Sequence, residues 1–149
     1  MLSLLFSKIQ ATSFTGAVIK TTESLGMKRS RCERQFLRHL RDAFPQLKMV
    51  PNDRRLLPGY EVDIAIPALK TAIEWNGICH FQPIYGATKL KDMQRRDAER
   101  AALADARGIT LLIVEDRSST EKFVRLAAQQ IGRILRKRLH SKTSLKEAS

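Results

Sequence analysis

Acidic residues are scarce in this chain: 15 Asp plus Glu stand against 27 Lys plus Arg over 149 residues, a net charge of +12. A surface that basic favours a polyanionic partner, and nucleic acid is the commonest. Cysteine is almost missing. Cys32 and Cys79 alone cannot make a disulfide framework, which fits a reducing compartment. No run of eighteen apolar residues occurs, which excludes an apolar helical membrane span. Residues 1–20 contain no acid and no arginine, and Leu2–Phe6 is too short for a secretory core, so neither a transit nor a signal peptide is expected. The chain is long enough for one domain that buries about 69% of its unfolded surface.

The acids that are present are not spread evenly. Residues 1–32 hold five basic and one acidic residue, and 117–149 hold nine and two. The block 33–116 holds thirteen basic and twelve acidic residues. A module touching phosphate everywhere has little use for carboxylates in its middle. An enzyme that holds a divalent cation against phosphate needs a few of them together.

Periodicity predicts a helix opened by Ser30, with Phe36, Leu37, Leu40 and Phe44 on one face and Pro45 as its stop. Short strands are expected at 48–50, 60–66 and 71–75. An alanine-rich helix follows over 90–106, ending at Gly108. The apolar run 109–114 reads as a buried strand, and 120–139 as a second long helix followed by a polar tail. The order αβββαβα belongs to the mixed α/β class. Residues 1–26 are set apart as an N-terminal segment of no assigned order, 27–140 as a single domain, and 141–149 as a flexible basic tail.

The hairpin is the informative part. With 67–70 as a four-residue turn, Ile66 faces Thr71, and the same register carries Asp63 opposite Glu74. Directly opposed residues have Cβ atoms about 4.5–5.5 Å apart. Val62, Ile64, Ile66, Ile73 and Trp75 then share the core face, and Asp63, Ala65, Ala72, Glu74 and Asn76 share the other. Like charges so placed destabilise a sheet, and a divalent cation between them compensates; hard oxygen ligands suit magnesium. A solvated polar face is the plainer explanation of the same pattern.

Other polar residues carry two readings each. Glu33 lies three residues after Ser30, the spacing of a capping box. His80 falls in a loop, where a histidine is commonly just exposed. Gln94 and Asp97 share a face of the alanine-rich helix, and Arg95, Arg96 and Arg100 could pair with Asp97. Cys32, His39, Cys79 and His80 have no zinc-site spacing. On the last helix Lys122, Arg125, Arg133, Arg136 and Lys137 fall within about a third of the circumference, by 100° steps, opposite an apolar stripe. That basic stripe is either a solvated face or a phosphate contact.

The string Tyr60-Glu-Val-Asp-Ile-Ala-Ile-Pro67, then Ala72-Ile-Glu-Trp-Asn-Gly-Ile-Cys-His-Phe-Gln-Pro-Ile-Tyr-Gly86, then Gln94-Arg-Arg-Asp97, resembles the PD-(D/E)XK nuclease superfamily. Within it the chain is most similar to very-short-patch repair endonucleases and to phage or intron-encoded homing endonucleases with a Glu–Asp–x–His–Asp set. The resemblance covers about residues 21–125. It implies a restriction-endonuclease-like mixed sheet flanked by helices, and a magnesium-dependent DNA endonuclease. By position, Glu33 matches the helix glutamate, Asp63 the metal aspartate, Glu74 the second acid, His80 the histidine and Asp97 the final acid. Asp63, Glu74 and the Trp75 carbonyl would hold Mg2+; Asn76 and Gln94 join the catalytic set. The stripe on the last helix, with Arg95 and Arg96, would hold double-stranded DNA.

Two departures stand out: Val62 replaces the proline of the superfamily name, and Asn76 stands where it has lysine. The second favours an alternative, a catalytically lapsed nuclease fold kept as a nucleic-acid-binding or ribonucleoprotein subunit. With no separate recognition domain, a double-strand cut implies a homodimer or higher oligomer. The implied location is the cytoplasm of a bacterial or phage-infected cell, or an organelle, without secretion.

Overall fold

The structure is a computed structural model that describes residues 8–9 and 30–147. Its elements are β1 (Lys8–Ile9), α1 (Arg31–Ala43), β2 (Val50–Asp53), β3 (Val62–Ile66), β4 (Thr71–Asn76), α2 (Ala87–Ala106), β5 (Thr110–Glu115) and α3 (Glu121–Glu147). The strands form one mixed sheet in the order β1-β5-β4-β3-β2. β2, β3 and β4 are antiparallel neighbours, while β4/β5 and β5/β1 are parallel. Helices cover both faces, so the α/β class holds.

α1 starts where expected, because the Ser30 Oγ accepts the Glu33 N–H at 3.1 Å. It ends at Phe44, ahead of Pro45. Phe36, Leu37, Leu40 and Phe44 pack with Val124, Ala127, Ile131 and Leu135 of α3 against Ile64, Ile66, Ile73, Trp75, Leu112 and Val114. The Trp75 ring lies 4.9 Å from Phe36 and meets Phe123 edge-on at 6.0 Å. Each fully buried large aliphatic contributes about 1.5–3 kcal/mol, which makes this face the main source of stability.

The opposite face is thinner. Ala65 and Ala72 of the sheet meet Ala104 of α2, with Leu57 and Val62 completing a smaller cluster. Three methyl groups let the helix approach closely but bury little area. α2 ends in a Schellman motif: Ile109 N–H donates to Ala104 O at 2.9 Å and Gly108 N–H to Asp105 O at 3.0 Å. Gly108 has φ +65°, which a side chain would strain.

The sequence reading differs from the fold in four places. Val62, expected on the face of Ile64 and Ile66, clusters instead with Leu57, Ala65, Ala72 and Ala104 near the end of β3, where the β3/β4 ladder has stopped. A two-residue strand, β1, precedes α1 and pairs with β5, so the order begins with β. No alternation can show in two residues. The strand expected at 48–50 lies at 50–53, displaced by Pro51 and Asn52, whose φ is +47°. The tail expected to be flexible from 141 is helical to Glu147. No Gly or Pro interrupts it, and Arg138 and Lys142 donate to the Leu69 and Ala68 carbonyls of the hairpin turn. The remainder of residues 1–26 lies outside the described residues. Among the described residues no helix is long and apolar enough to cross a membrane.

Candidate active site

The hairpin register is the expected one. Pro67–Leu69 forms a 3-10 turn closed by Lys70 N–H to Pro67 O, and Ile66 pairs with Thr71, Ala65 with Ala72 and Ile64 with Ile73. The β3/β4 ladder ends there. At the next position the Asp63 carboxylate, rather than the backbone, takes the Trp75 N–H, at Oδ2 and 2.7 Å. Asp63 and Glu74 therefore sit on the α2 face where the two strands part.

Glu74 is 5% exposed. Its Oε2 accepts from Arg100 Nη1 at 2.8 Å, and its Oε1 is buried with no hydrogen-bond partner. Burial, and then the charge of Asp63, push its pKa up to about 9 against the pull of Arg100 and of the Asp63 backbone amide. Relief of this carboxylate thus comes first from a protein cation.

The second half of the site hangs on α2. Asp97 Oδ2 lies 2.9 Å from His80 Nδ1. A carboxylate only accepts, so Nδ1 donates to Asp97 and Nε2 lies outside that bond. His80 ends the 3-10 turn Ile78–His80, and its neighbour Phe81 lies beneath the Arg117 guanidinium at 4.1 Å. Asp97 Oδ1 is 3.6 Å from Arg100 Nη1. One arginine nitrogen consequently joins the two halves, Asp63 with Glu74 on the sheet and Asp97 with His80 beside it.

Backbone groups contribute as well. Thr110 N–H donates to Lys70 O and Asp116 N–H to Asn76 O, so the even-numbered residues of β4 bond toward β5. Odd-numbered residues turn the other way. Trp75 directs its N–H to Asp63 and its C=O to the same edge. Two carboxylates and this carbonyl are an oxygen donor set of the kind Mg2+ takes, with water and phosphate filling the rest. Among the described residues no group of three or more His, Cys, Asp or Glu side chains that could hold a metal ion occurs, so any metal here would rest on two carboxylates and backbone oxygen.

The remaining expected residues are placed less centrally. Asn76 is buried at the end of β4, one pleat beyond Glu74. Glu33 is buried in the first turn of α1, on the sheet face opposite α2. That turn lies at the end of the sheet that carries Asn76, because Arg31 reaches Glu121 at 3.6 Å just beyond β5. Gln94 is exposed one turn ahead of Asp97. Arg96 is exposed, and Arg95 is engaged with Glu99 at 2.8 Å on its own helix.

Lys122, Arg125, Arg133, Arg136 and Lys137 of α3 are all exposed, as the periodicity requires. They lie on the α1/α3 layer, across the sheet from α2. Lys122 and Arg125 are near the site's end of the sheet, and Arg133, Arg136 and Lys137 run toward the hairpin turn. A groove of about 300 Å³ between α1 and α3 is lined by Arg38, His39 and Arg125, with Asp42 and Glu121 opposing them.

Arg100 is the residue the sequence reading undervalued. Its spacing from Asp97 marked it only as one possible ion-pair partner, and nothing local signals a reach of 26 residues back to Glu74. No protein-family model matches this chain, and no curated protein or solved structure is detectably similar to it.

Proposed function

We propose that this protein is a metal-dependent DNA endonuclease of PD-(D/E)XK type that hydrolyses phosphodiester bonds, with Mg2+ as its cofactor. The observation that carries the reading is the buried, incompletely satisfied Glu74 carboxylate beside Asp63, joined through Arg100 to the Asp97–His80 pair. Structural ion pairs explain carboxylates next to arginines. They do not explain a buried oxygen without a partner next to a second acid.

Asp63, Glu74 and the Trp75 carbonyl would hold the metal, which when bound supplies a more acidic water and a positive charge against the phosphate. His80 Nε2 is free of the Asp97 bond and takes the proton of the attacking water. Asp97, bound to Nδ1, holds the ring in orientation and leaves Nε2 to face the substrate side. Asn76 and Gln94 would donate to water or phosphate, and Glu33, at the same end of the sheet but in the other layer, would hold a second water or ion. Lys122, Arg125, Arg133, Arg136 and Lys137, with Arg95 and Arg96, bind the backbone of double-stranded DNA. One such site per chain cuts one strand, so a double-strand break calls for a homodimer or higher assembly.

Plasmid cleavage with and without Mg2+ tests the proposal, with Asp63→Asn and Glu74→Gln as controls. Metal-dependent nicking that both variants abolish is the expected result. The second reading, a lapsed nuclease fold that binds nucleic acid, rests on Asn76 in place of lysine. DNA binding without cleavage under Mg2+ or Mn2+ in the unmodified chain would select it.

A further inference from the structure

We propose that Arg100 is a positioning residue that locks the metal-binding carboxylate and the histidine–carboxylate pair into one geometry. This rests on the nuclease reading above and deepens it.

An arginine meant for DNA backbone stands in solvent with its fork open. The Arg100 side chain is 17% exposed, and its Nη1 is shared between Glu74 Oε2 at 2.8 Å and Asp97 Oδ1 at 3.6 Å. Its Nε is buried with no hydrogen-bond partner. The guanidinium stands 5.9 Å from the Tyr60 ring centre, and the Tyr60 hydroxyl donates to Glu99 Oε2 at 3.1 Å. A sheet residue, a carboxylate one helix turn back and the loop before β3 thus meet at one side chain. A buried donor left unmet is costly and calls for a reason.

The reason is found in what Arg100 joins. Glu74 belongs to the sheet, while Asp97 belongs to a helix whose buried apolar anchor is Ala104. Contacts between methyl groups are short-ranged and would let the helix slide by tenths of an ångström. A planar cation with fixed donor geometry ties the two elements at the height of the chemistry. A lysine ammonium at the end of a flexible stem would keep the charge and lose that definition.

The test uses Arg100→Lys and Arg100→Met in the full chain. Cleavage is followed as kcat and KM for DNA. Metal binding is followed by titrating Mg2+ against the fluorescence of Trp75, the single tryptophan, whose amide is bound to Asp63. Thermal melting checks that each variant folds. In Arg100→Lys, kcat should fall by ~10²-fold, the usual result of misplacing reacting groups by about 1 Å. KM for DNA and the Mg2+ affinity should stay within about threefold of wild type. Should Arg100→Met fail to fold, Arg100→Lys decides alone.

A defect carried by KM would make Arg100 an ordinary phosphate ligand and overturn the proposal. Wild-type kcat in Arg100→Lys would show that charge suffices and overturn it equally. A wild-type chain that neither binds Mg2+ nor cuts DNA brings down the nuclease reading itself. A wild type that cuts, with an Arg100→Lys that cuts as well, brings down the positioning role alone.

Discussion

At the scale of single residues, Glu74 is where folding and function pull apart. An acid whose pKa is raised on folding is held more tightly by its proton in the folded chain. The stability linked to it is therefore full below its unfolded value near 4.5 and is lost as pH rises toward about 9. In the absence of divalent cations the wild-type protein should lose melting temperature across that window. Glu74→Gln should flatten this part of the profile, raise the melting temperature at pH 8 and lower kcat by at least ~10²-fold. A melting curve recorded in EDTA at several pH values checks the first part. For the second half of the site, His80→Ala should lower kcat by ~10²–10⁴-fold, the worth of a positioned acid–base group. Asp97→Asn should reproduce most of that loss, because an amide no longer enforces the Nδ1–H tautomer. Both are read from single-turnover cleavage with KM held in view. His80 and Asp97 were marked in sequence only by the family resemblance, whereas the juxtaposition of Asp63 and Glu74 was legible because a hairpin of fixed turn length transmits register. Arg100 was not, since its partner is reached through helix packing, which no short-range pattern encodes.

Elements differ in how firmly they are held. α1 and α3 are clamped to the sheet by large aliphatic and aromatic side chains. α2, which carries Asp97 and Arg100, is held by a smaller cluster in which Ala104 meets Ala65 and Ala72 and Leu103 is only partly buried. Ala72→Leu should therefore displace α2 rather than the sheet, at a cost of roughly 1–3 kcal/mol for overpacking. Urea unfolding reads that cost, and a kcat loss larger than the stability loss explains would report the displaced helix. The amphipathic pattern of α3 was plain from its sequence, whereas its continuation past residue 140 was hidden by polar composition. Ser141, Thr143 and Ser144 each return a hydroxyl to the carbonyl four residues back, so polar side chains there travel with the helix. Changing Arg125, Arg133 and Arg136 to alanine should weaken DNA binding equally across sequences. It should also flatten the slope of log K against log salt by about 0.9 for each phosphate no longer neutralised. An unchanged slope would return these residues to a merely solvated face.

At the scale of the whole molecule, the proposed catalytic and DNA-binding groups fall in different layers. The carboxylates and the histidine face α2 on one side of the sheet, and the exposed arginines of α3 lie on the other. The two sides meet at the end where β4 and β5 finish and α1 and α3 begin. A duplex laid across that end would touch Lys122 and Arg125 while its backbone entered the space above Glu74. This division also accounts for the charge pattern: acids gather in the block that builds the hairpin and α2, while bases gather in the chain's outer parts.

The two-residue strand β1 has a bearing on colloidal behaviour. It occupies the outer edge of β5 by pairing Lys8 with Ile113 and Ile9 with Val114. The strand beneath it reads Thr-Leu-Leu-Ile-Val-Glu, apolar at its centre and without Pro or Gly. A six-residue segment of that kind is a template for intermolecular strand addition once its edge is bare. The other border of the sheet has a different safeguard, since β2 places Pro51, which has no N–H to offer, among polar neighbours. Removal of residues 1–10 should leave secondary structure by circular dichroism nearly unchanged, yet produce light scattering that grows with protein concentration at temperatures the intact chain tolerates. The outermost pair of residues in the sheet would then act less as a structural element than as a guard against self-association.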